Sequence, residues 1–203
     1  YGIPTPQTYL AHDPNQAVHL ANTIGFPVAV KIASPDILHK TDVKGVALNV
    51  SSDEEVRDVF EQMTYHVSRF VPGAEIWGCL IQEMVIGGKE VFVGMNRDPH
   101  FGPLMMFGLG GIYVEALRDV AFRVVPLDRR EAREMIGEIR GYELLRGVRG
   151  EPPCDLEMAS ETVLRLAQLA TDVAEITEFD LNPLTVFEDG KGVIGIDMRL
   201  VLR

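Results

Sequence analysis

The segment that most restricts this chain is a stretch of alternating character near the carboxyl end, Glu178-Phe179-Asp180-Leu181-Asn182-Pro183-Leu184, which returns through Asp189-Gly190 to Gly195-Ile196-Asp197. Successive strand residues point to opposite faces, so Glu178, Asp180 and Asn182 share one side while Phe179 and Leu181 take the other. If Asp189-Gly190 forms the two-residue turn its chemistry favours, the returning strand sets Asn182 directly opposite Asp197. Directly paired residues hold their Cβ atoms about 4.5–5.5 Å apart, near enough for two oxygens to grip one small cation. Oxygen donors without His or Cys suit Mg²⁺ carried in with phosphates better than zinc, which points to a nucleotide site. The pattern is equally that of a solvated hairpin with acids on its wet face. A one-residue bulge at Gly192 would also turn Asp197 away.

A chain of 203 residues can bury a sizeable core, as one domain or as two small lobes. Its net charge of −11 argues against wrapping nucleic acid or lying on an anionic membrane. An anionic ligand must therefore be held by locally placed Lys, Arg, backbone amides or metal. Cys79 and Cys154 are isolated, so neither a disulfide framework nor a zinc knuckle is expected. Apolar runs fall well short of the roughly 20 residues that cross a bilayer, and no signal peptide leads the chain. A cytoplasmic protein is expected, and the opening Tyr1-Gly2-Ile3-Pro4, without methionine, reads as a piece of something longer.

Asp13-Pro14 makes a helix start, with Ala17, Leu20, Ala21 and Ile24 at helical spacing and Gly25 as the stop. Pro27 to Ile32 then reads as a strand that places Lys31 opposite Val28, Val30 and Ile32. A loop from Ala33 to Gly45 precedes a strand through Val46, Leu48 and Val50. Ser52 and Glu55 form a capping box for a helix with the stripe Val56, Val59, Phe60, Met63, Val67 and Phe70. Trp77 to Ile86 and Lys89 to Met95 read as two strands joined by Gly87-Gly88. A strand through Leu104 to Phe107, a turn over Gly108 to Gly111, and a short strand from Phe122 to Val125 follow. Asp128 and Glu131 cap a further helix, and a longer one runs from about Glu157 to Ala174. A small αβ lobe before a mainly antiparallel sheet with helices on one side is an α+β arrangement.

Lys31 lies in an otherwise apolar strand, where an ammonium must pair with an anion or reach solvent. The loop Ser34-Pro35-Asp36-Ile37-Leu38-His39-Lys40-Thr41-Asp42-Val43-Lys44-Gly45 gathers polar groups between two strands, and Lys44-Gly45 has the chemistry of a phosphate-covering flap. His39 has the nucleophilicity to take a phosphoryl group, although one loop histidine is more often a surface residue. His12, His19, His66 and His100 have no catalytic partner in view. In Ile81-Gln82-Glu83-Met84-Val85-Ile86, strand backbone at the junction of the two lobes has the groups to read an adenine edge. Glu90 has the acceptors for ribose hydroxyls, or is a salt-bridged edge glutamate.

Together these segments resemble the ATP-grasp domain of the NDP-forming acyl-CoA synthetases, which include ADP-forming acetyl-CoA synthetase and, more distantly, the succinyl-CoA synthetase β subunit. The matching pieces are Tyr1 to Pro4, Ile24-Gly25-Phe26-Pro27 leading to Lys31, Ser34-Pro35-Asp36 with His39 to Asp42, and Gln82-Glu83-Met84. Phe107 to Gly111, Leu145 to Gly150 and Asp180 to Leu184 complete the set, in family order over nearly the whole chain.

The resemblance implies an ATP-grasp fold of two lobes, 1–82 and 83–203, with the nucleotide held between them. It implies that Lys31, Lys44 and Gly45 meet phosphates, that Glu83, Met84 and Val85 hold adenine, and that Glu90 binds ribose. Asn182 and Asp197 would hold Mg²⁺, with Asp180 supporting them, and His39 would relay a phosphoryl group. The implied reaction turns acyl-CoA, phosphate and ADP into carboxylate, CoA and ATP through a phosphohistidine. In this family the CoA-binding domain and the principal phosphohistidine belong to a separate segment or α-type subunit. The chain is therefore expected to bind Mg-ATP or Mg-ADP without completing the reaction alone. Where the family pattern is Asp-Val-Gly-Gly-Val, this chain has Asp42-Val43-Lys44-Gly45-Val46. Two other readings share these residues: an ATP-grasp carboxylate–amine ligase, which needs no histidine relay, and a nucleotide-sensing lobe of a regulatory acetyltransferase fusion.

Overall fold

A computed structural model describes residues 1–37, 39–110 and 119–203. Pro6–Ile86 makes one compact unit, and Tyr1–Thr5 with Gly87–Arg203 makes the other. The division falls beyond the expected 82/83 boundary because that boundary cuts a strand, β4 (Gly78–Glu83), before its last residue. The first five residues join the later unit, where the Pro4 carbonyl accepts from the Gly195 N–H at 2.9 Å.

In the unit 6–86, Asp13 caps α1 (Pro14–Ile24) by accepting from the Gln16 N–H, and Gly25 ends it at φ 98°. Ser52 caps α2 (Asp53–Phe70) by accepting from the Glu55 N–H. The Glu55 carboxylate returns to Ser51, one residue earlier than a capping box requires, and those hydrogen bonds lower its pKa. Val56, Phe60, Met63 and Val67 are buried, whereas Phe70, the last helical residue, is exposed. The sheet has the order β1-β4-β2-β3, with β1 (Thr8–Ala11), β2 (Val28–Ala33) and β3 (Val46–Val50), all antiparallel. β1 is too short and too exposed on one side to announce itself by alternation.

The other unit is built on the order β10-β8-β5-β6-β7, with β9 also paired to β8. Its strands are β5 (Lys89–Asp98), β6 (Gly102–Leu109), β7 (Val120–Val124), β8 (Ile176–Val186), β9 (Val193–Gly195) and β10 (Met198–Leu202). Its described helices are α3 (Arg129–Glu138), α4 (Tyr142–Leu145) and α5 (Leu156–Asp172). Asp128 and Glu131 form the full reciprocal capping box of α3. Met135, Ile136, Val163 and Leu166 from α3 and α5 share one core with Val93, Met95, Phe107, Phe179 and Leu181 from the sheet. The class is α+β, as the sequence implies.

Two local expectations are corrected. The strands on either side of Gly87-Gly88 are not a hairpin, because β4 pairs with β1 and β2 while β5 pairs with β6 and β8. Gly88 serves close packing instead, since a Cβ there would lie 2.5 Å from Thr185 Cγ2. Gly108 and Leu109 belong to β6 rather than to a turn, while Gly111 of the same motif, like Leu38, lies outside the described residues. Burial pushes the Cys79 thiol up to about 12 and also raises Cys154, which favours the protonated thiol in both. No helix among the described residues is long and apolar enough to cross a membrane.

Arg97 on β5 ends α5 from the side: its Nη2 donates to the carbonyls of Ala170 (2.7 Å) and Val173 (3.3 Å), and its Nε to Ile176 (2.8 Å). A cation on the last carbonyls of a helix satisfies them and opposes the helix dipole. Arg97→Ala should lower the unfolding free energy by about 1.5–3 kcal/mol, read as a lower urea midpoint. Arg97→Lys, which keeps the charge but not the fork, should recover only part of it.

Candidate nucleotide site

β8 carries the acidic face. Phe179 and Leu181 are buried, and Glu178, Asp180 and Asn182 alternate with them as half-buried residues. The turn at its end is closed by Lys191 N–H donating to the Glu188 carbonyl at 2.8 Å, with Asp189 and Gly190 central and Gly190 at φ 77°. A positive φ at the third turn position favours glycine. Val186 then faces Val193 and Leu184 faces Gly195, so no bulge intervenes at Gly192. The Ile196 N–H donates to the Pro183 carbonyl and the Asn182 N–H to the Asp197 carbonyl, each at 2.9 Å. The same phase continues into β10, where Met198 faces Leu181 and Arg199 faces Asp180. Asn182 and Asp197 therefore stand side by side, both half-buried.

This pair fits a hard divalent cation, because both side chains offer oxygen. No group of three or more His, Cys, Asp or Glu side chains that could hold a metal occurs among the described residues. An ion here would complete its shell with phosphate and water oxygens, the habit of Mg²⁺ bound with nucleotides. Glu178 is paired with Arg199, whose Nη2 lies 2.8 Å from its Oε1. Sequence reasoning missed Arg199 because β10 shows no alternation of polar and apolar residues strong enough to mark it as a strand. Glu90 lies on β5 opposite Thr185, three residues along β8 from Asn182, with its side chain exposed and its carbonyl accepting from Gly110 N–H at 2.8 Å.

In the unit 6–86 every residue of β2 is buried, including Lys31 at 6% exposure, so Lys31 is not a strand-end lysine reaching solvent. It faces Leu80 of β4 on one side and Val46 of β3 on the other. The loop 34–45 closes immediately beside it: the Ile32 N–H donates to the Gly45 carbonyl at 2.8 Å and the Gly45 N–H to the Lys40 carbonyl at 2.7 Å. The backbone thus places Gly45 beside β2 next to Lys31, while Lys44, one residue earlier in the turn, is exposed. His39 is exposed at the start of that turn, with its carbonyl accepting from the Asp42 N–H. Glu83 ends β4 and is exposed, its carboxylate accepting from the Gln7 N–H at 3.3 Å. That placement explains a glutamate in phase with Ile81: the strand leaves the sheet there. Met84 and Val85 follow it, half-buried beyond the strand's end.

A model of the ATP-grasp domain matches residues 1–202. The chain belongs to the ATP-grasp domain family. It is 45% identical over 202 residues to the ADP-forming acetate–CoA ligase I subunit beta of Pyrococcus furiosus, covering 100% of this chain and 86% of that protein. It is 48% identical to the ADP-forming acetate–CoA ligase I of Archaeoglobus fulgidus, again over its whole length, but spans only 29% of that longer relative. The dinucleotide-forming acetyl-coenzyme A synthetase 1 of Ca. Korarchaeum cryptofilum, in complex with coenzyme A, Ca-AMPCP and HgCl⁺, superposes with a TM-score of 0.95 at 45% identity, covering 100% of this chain and 88% of that one. A complex of the same synthetase with coenzyme A and Mg-AMPPCP superposes at 0.84, with 40% identity over 100% of this chain and 87% of that one. The ATP-grasp fold is thereby established, and the relatives are ADP-forming acyl-CoA ligases.

The departure at Lys44 has a structural reading. Lys44 sits at φ 54°, the left-handed region that glycine occupies freely, so the loop keeps a glycine conformation without the glycine. At Gly45, a Cβ would lie 2.5 Å from Ile32 Cγ2 and 2.9 Å from the Lys40 carbonyl oxygen. Opposite outcomes follow for neighbouring residues. Lys44→Gly should leave stability unchanged or raise it by up to about 1 kcal/mol. Gly45→Ala should lower it by about 1–3 kcal/mol, both read from denaturant midpoints.

Proposed function

We propose that this chain binds a magnesium nucleotide and performs the nucleotide-side phosphoryl transfer of a cytoplasmic ADP-forming acyl-CoA synthetase. The overall reaction interconverts acyl-CoA, phosphate and ADP with carboxylate, CoA and ATP. The observation that carries the reading is the side-by-side placement of Asn182, on the polar face of β8, and Asp197, two side chains that each offer an oxygen. Lys31 and Lys44, with the turn backbone at Gly45, neutralise and orient phosphates, which is most of what phosphoryl transfer asks of a protein. Backbone of Glu83, Met84 and Val85 reads the adenine edge, and Glu90 accepts from ribose hydroxyls. The divalent ion, held by Asn182 and Asp197, supplies charge neutralisation at the phosphates. Support comes from the Mg-AMPPCP complex of the Korarchaeum synthetase and from the Pyrococcus beta subunit.

His39 receives the phosphoryl group: a ring nitrogen forms a bond to the γ-phosphorus of ATP as the bond from that phosphorus to the ADP oxygen breaks, and the reverse step makes ATP. Its exposure on the turn beside Lys40 leaves it accessible to a donor. The CoA-binding domain, with the principal phosphohistidine, is the partner that completes the acyl chemistry, as a fused domain or an α-type subunit.

Calorimetry with ADP, with and without magnesium, tests the nucleotide reading. Asp197→Asn should weaken Mg-ADP binding at least about tenfold while the melting temperature without nucleotide stays near that of the parent. An equal loss of melting temperature would make Asp197 structural instead. Incubation with labelled ATP and the partner domain should leave acid-labile, base-stable label on His39. Absence of label, with activity retained in His39→Ala, would remove the relay.

A further inference from the structure

We propose that Asp155 is a positioning residue for the Asn182–Asp197 pair, its buried carboxylate anchoring the start of the returning segment that leads through β9 to Asp197. The inference rests on the reading of that pair as the magnesium ligands and concerns what holds it in register. Asp155 is 4% exposed. Its Oδ1 accepts from the Met158 N–H at 3.0 Å and caps α5, while its Oδ2 accepts from the Gly192 N–H at 3.0 Å. Its own N–H donates to the Phe187 carbonyl at 2.8 Å, and Phe187 and Gly192 are joined by a 3.0 Å N–H···O bond of their own. One residue thus grips both strands of the hairpin on the rung below its turn. The neighbouring backbone reinforces the grip, since the Asp189 N–H donates to the Pro153 carbonyl at 2.9 Å and Cys154 bridges to Glu188.

A helix cap alone does not require this arrangement, because a single hydroxyl oxygen satisfies an N-terminal N–H. The second oxygen is spent on the N–H of Gly192, the residue between the turn and β9. Gly192 lies at φ 82°, a left-handed conformation in which one-residue bulges form readily. β9 itself has little else to hold its phase. It is three residues long and one of them is Gly195; besides its ladder to β8, which continues through Ile196 and Asp197 into β10, its anchors are the buried Val193 side chain and the Pro4 carbonyl on the Gly195 N–H. A one-residue slip there would carry Asp197 to the opposite face from Asn182.

Asp155→Ser keeps one oxygen for Met158 but cannot also reach Gly192. Asp155→Asn replaces one acceptor by an NH₂ that opposes an N–H. Gly192→Ala disturbs the same point without touching the helix cap, because its Cβ meets nothing within 4 Å while its φ disfavours alanine. Calorimetry of ADP with and without magnesium on the parent chain, Asp197→Asn and these three variants separates the possibilities. The expected result is that the magnesium-dependent gain in ADP affinity falls about tenfold in all three variants while magnesium-free ADP affinity stays within about twofold of the parent. Retention of the magnesium gain, or an equal fall in magnesium-free affinity, overturns the role of Asp155. A parent chain without any magnesium gain, or a gain that survives Asp197→Asn, overturns the metal assignment itself and Asp155 with it.

Discussion

The register of β8 against the strands that return to it is the constraint on which the rest of this protein depends. β8 runs for 11 residues between β5 on one side and β9 with β10 on the other. Its alternation divides labour within one strand: Phe179 and Leu181 enter the core beneath α3 and α5, and Glu178, Asp180 and Asn182 take the opposite face. Because side-chain direction has a period of two, a one-residue slip would bury three polar side chains and expose two large apolar ones. The hydrophobic core and the candidate metal pair are therefore enforced by the same pairing. Neither can be lost alone by a shift of the strand.

The unit 6–86 applies a related device to a cation. Lys31 is carried by a strand buried along its whole length, between β4 and β3, and the loop that follows is tied to the next residue of that strand through Gly45. A rigid sheet thus sets both the buried lysine and the turn beside it, which is more precise than placing charge on a free loop. In a chain of net charge −11, affinity for a polyanion cannot come from the overall field. For the proposed nucleotide it would come from a few cations and amides held in fixed positions, such as those on the strand and at the adjoining turn. The left-handed backbone at Lys44 shows how strictly the turn geometry is imposed, since it persists where the side chain disfavours it.

What could be read from the sequence was chemistry that acts over a few residues. The caps Asp13, Ser52 and Asp128 start helices where their spacing says they should, and the Asp189-Gly190 turn sets the phase that brings Asn182 to Asp197. The apolar stripes of α2 and α5 and the α+β class follow from the same local periodicities. The family resemblance assembled from ordered motifs agrees with the domain match over residues 1–202.

What only the tertiary structure decided was which distant groups share an environment. The two strands around Gly87-Gly88 look like a hairpin by composition, yet they enter separate sheets because each finds better partners elsewhere in the chain. Arg97 on the end of α5, Arg199 beside Glu178 and Asp155 on Gly192 join residues 21 to 79 positions apart, and nothing in their immediate neighbours marks them. The sequence by itself determined turns, caps and alternating faces, because those depend on dihedral preference and on hydrogen bonds a few residues long. Burial of Lys31 and the clamp on the last hairpin were left to the folded chain, because desolvation and long-range hydrogen bonds exist only once the sheets and helices have closed around them.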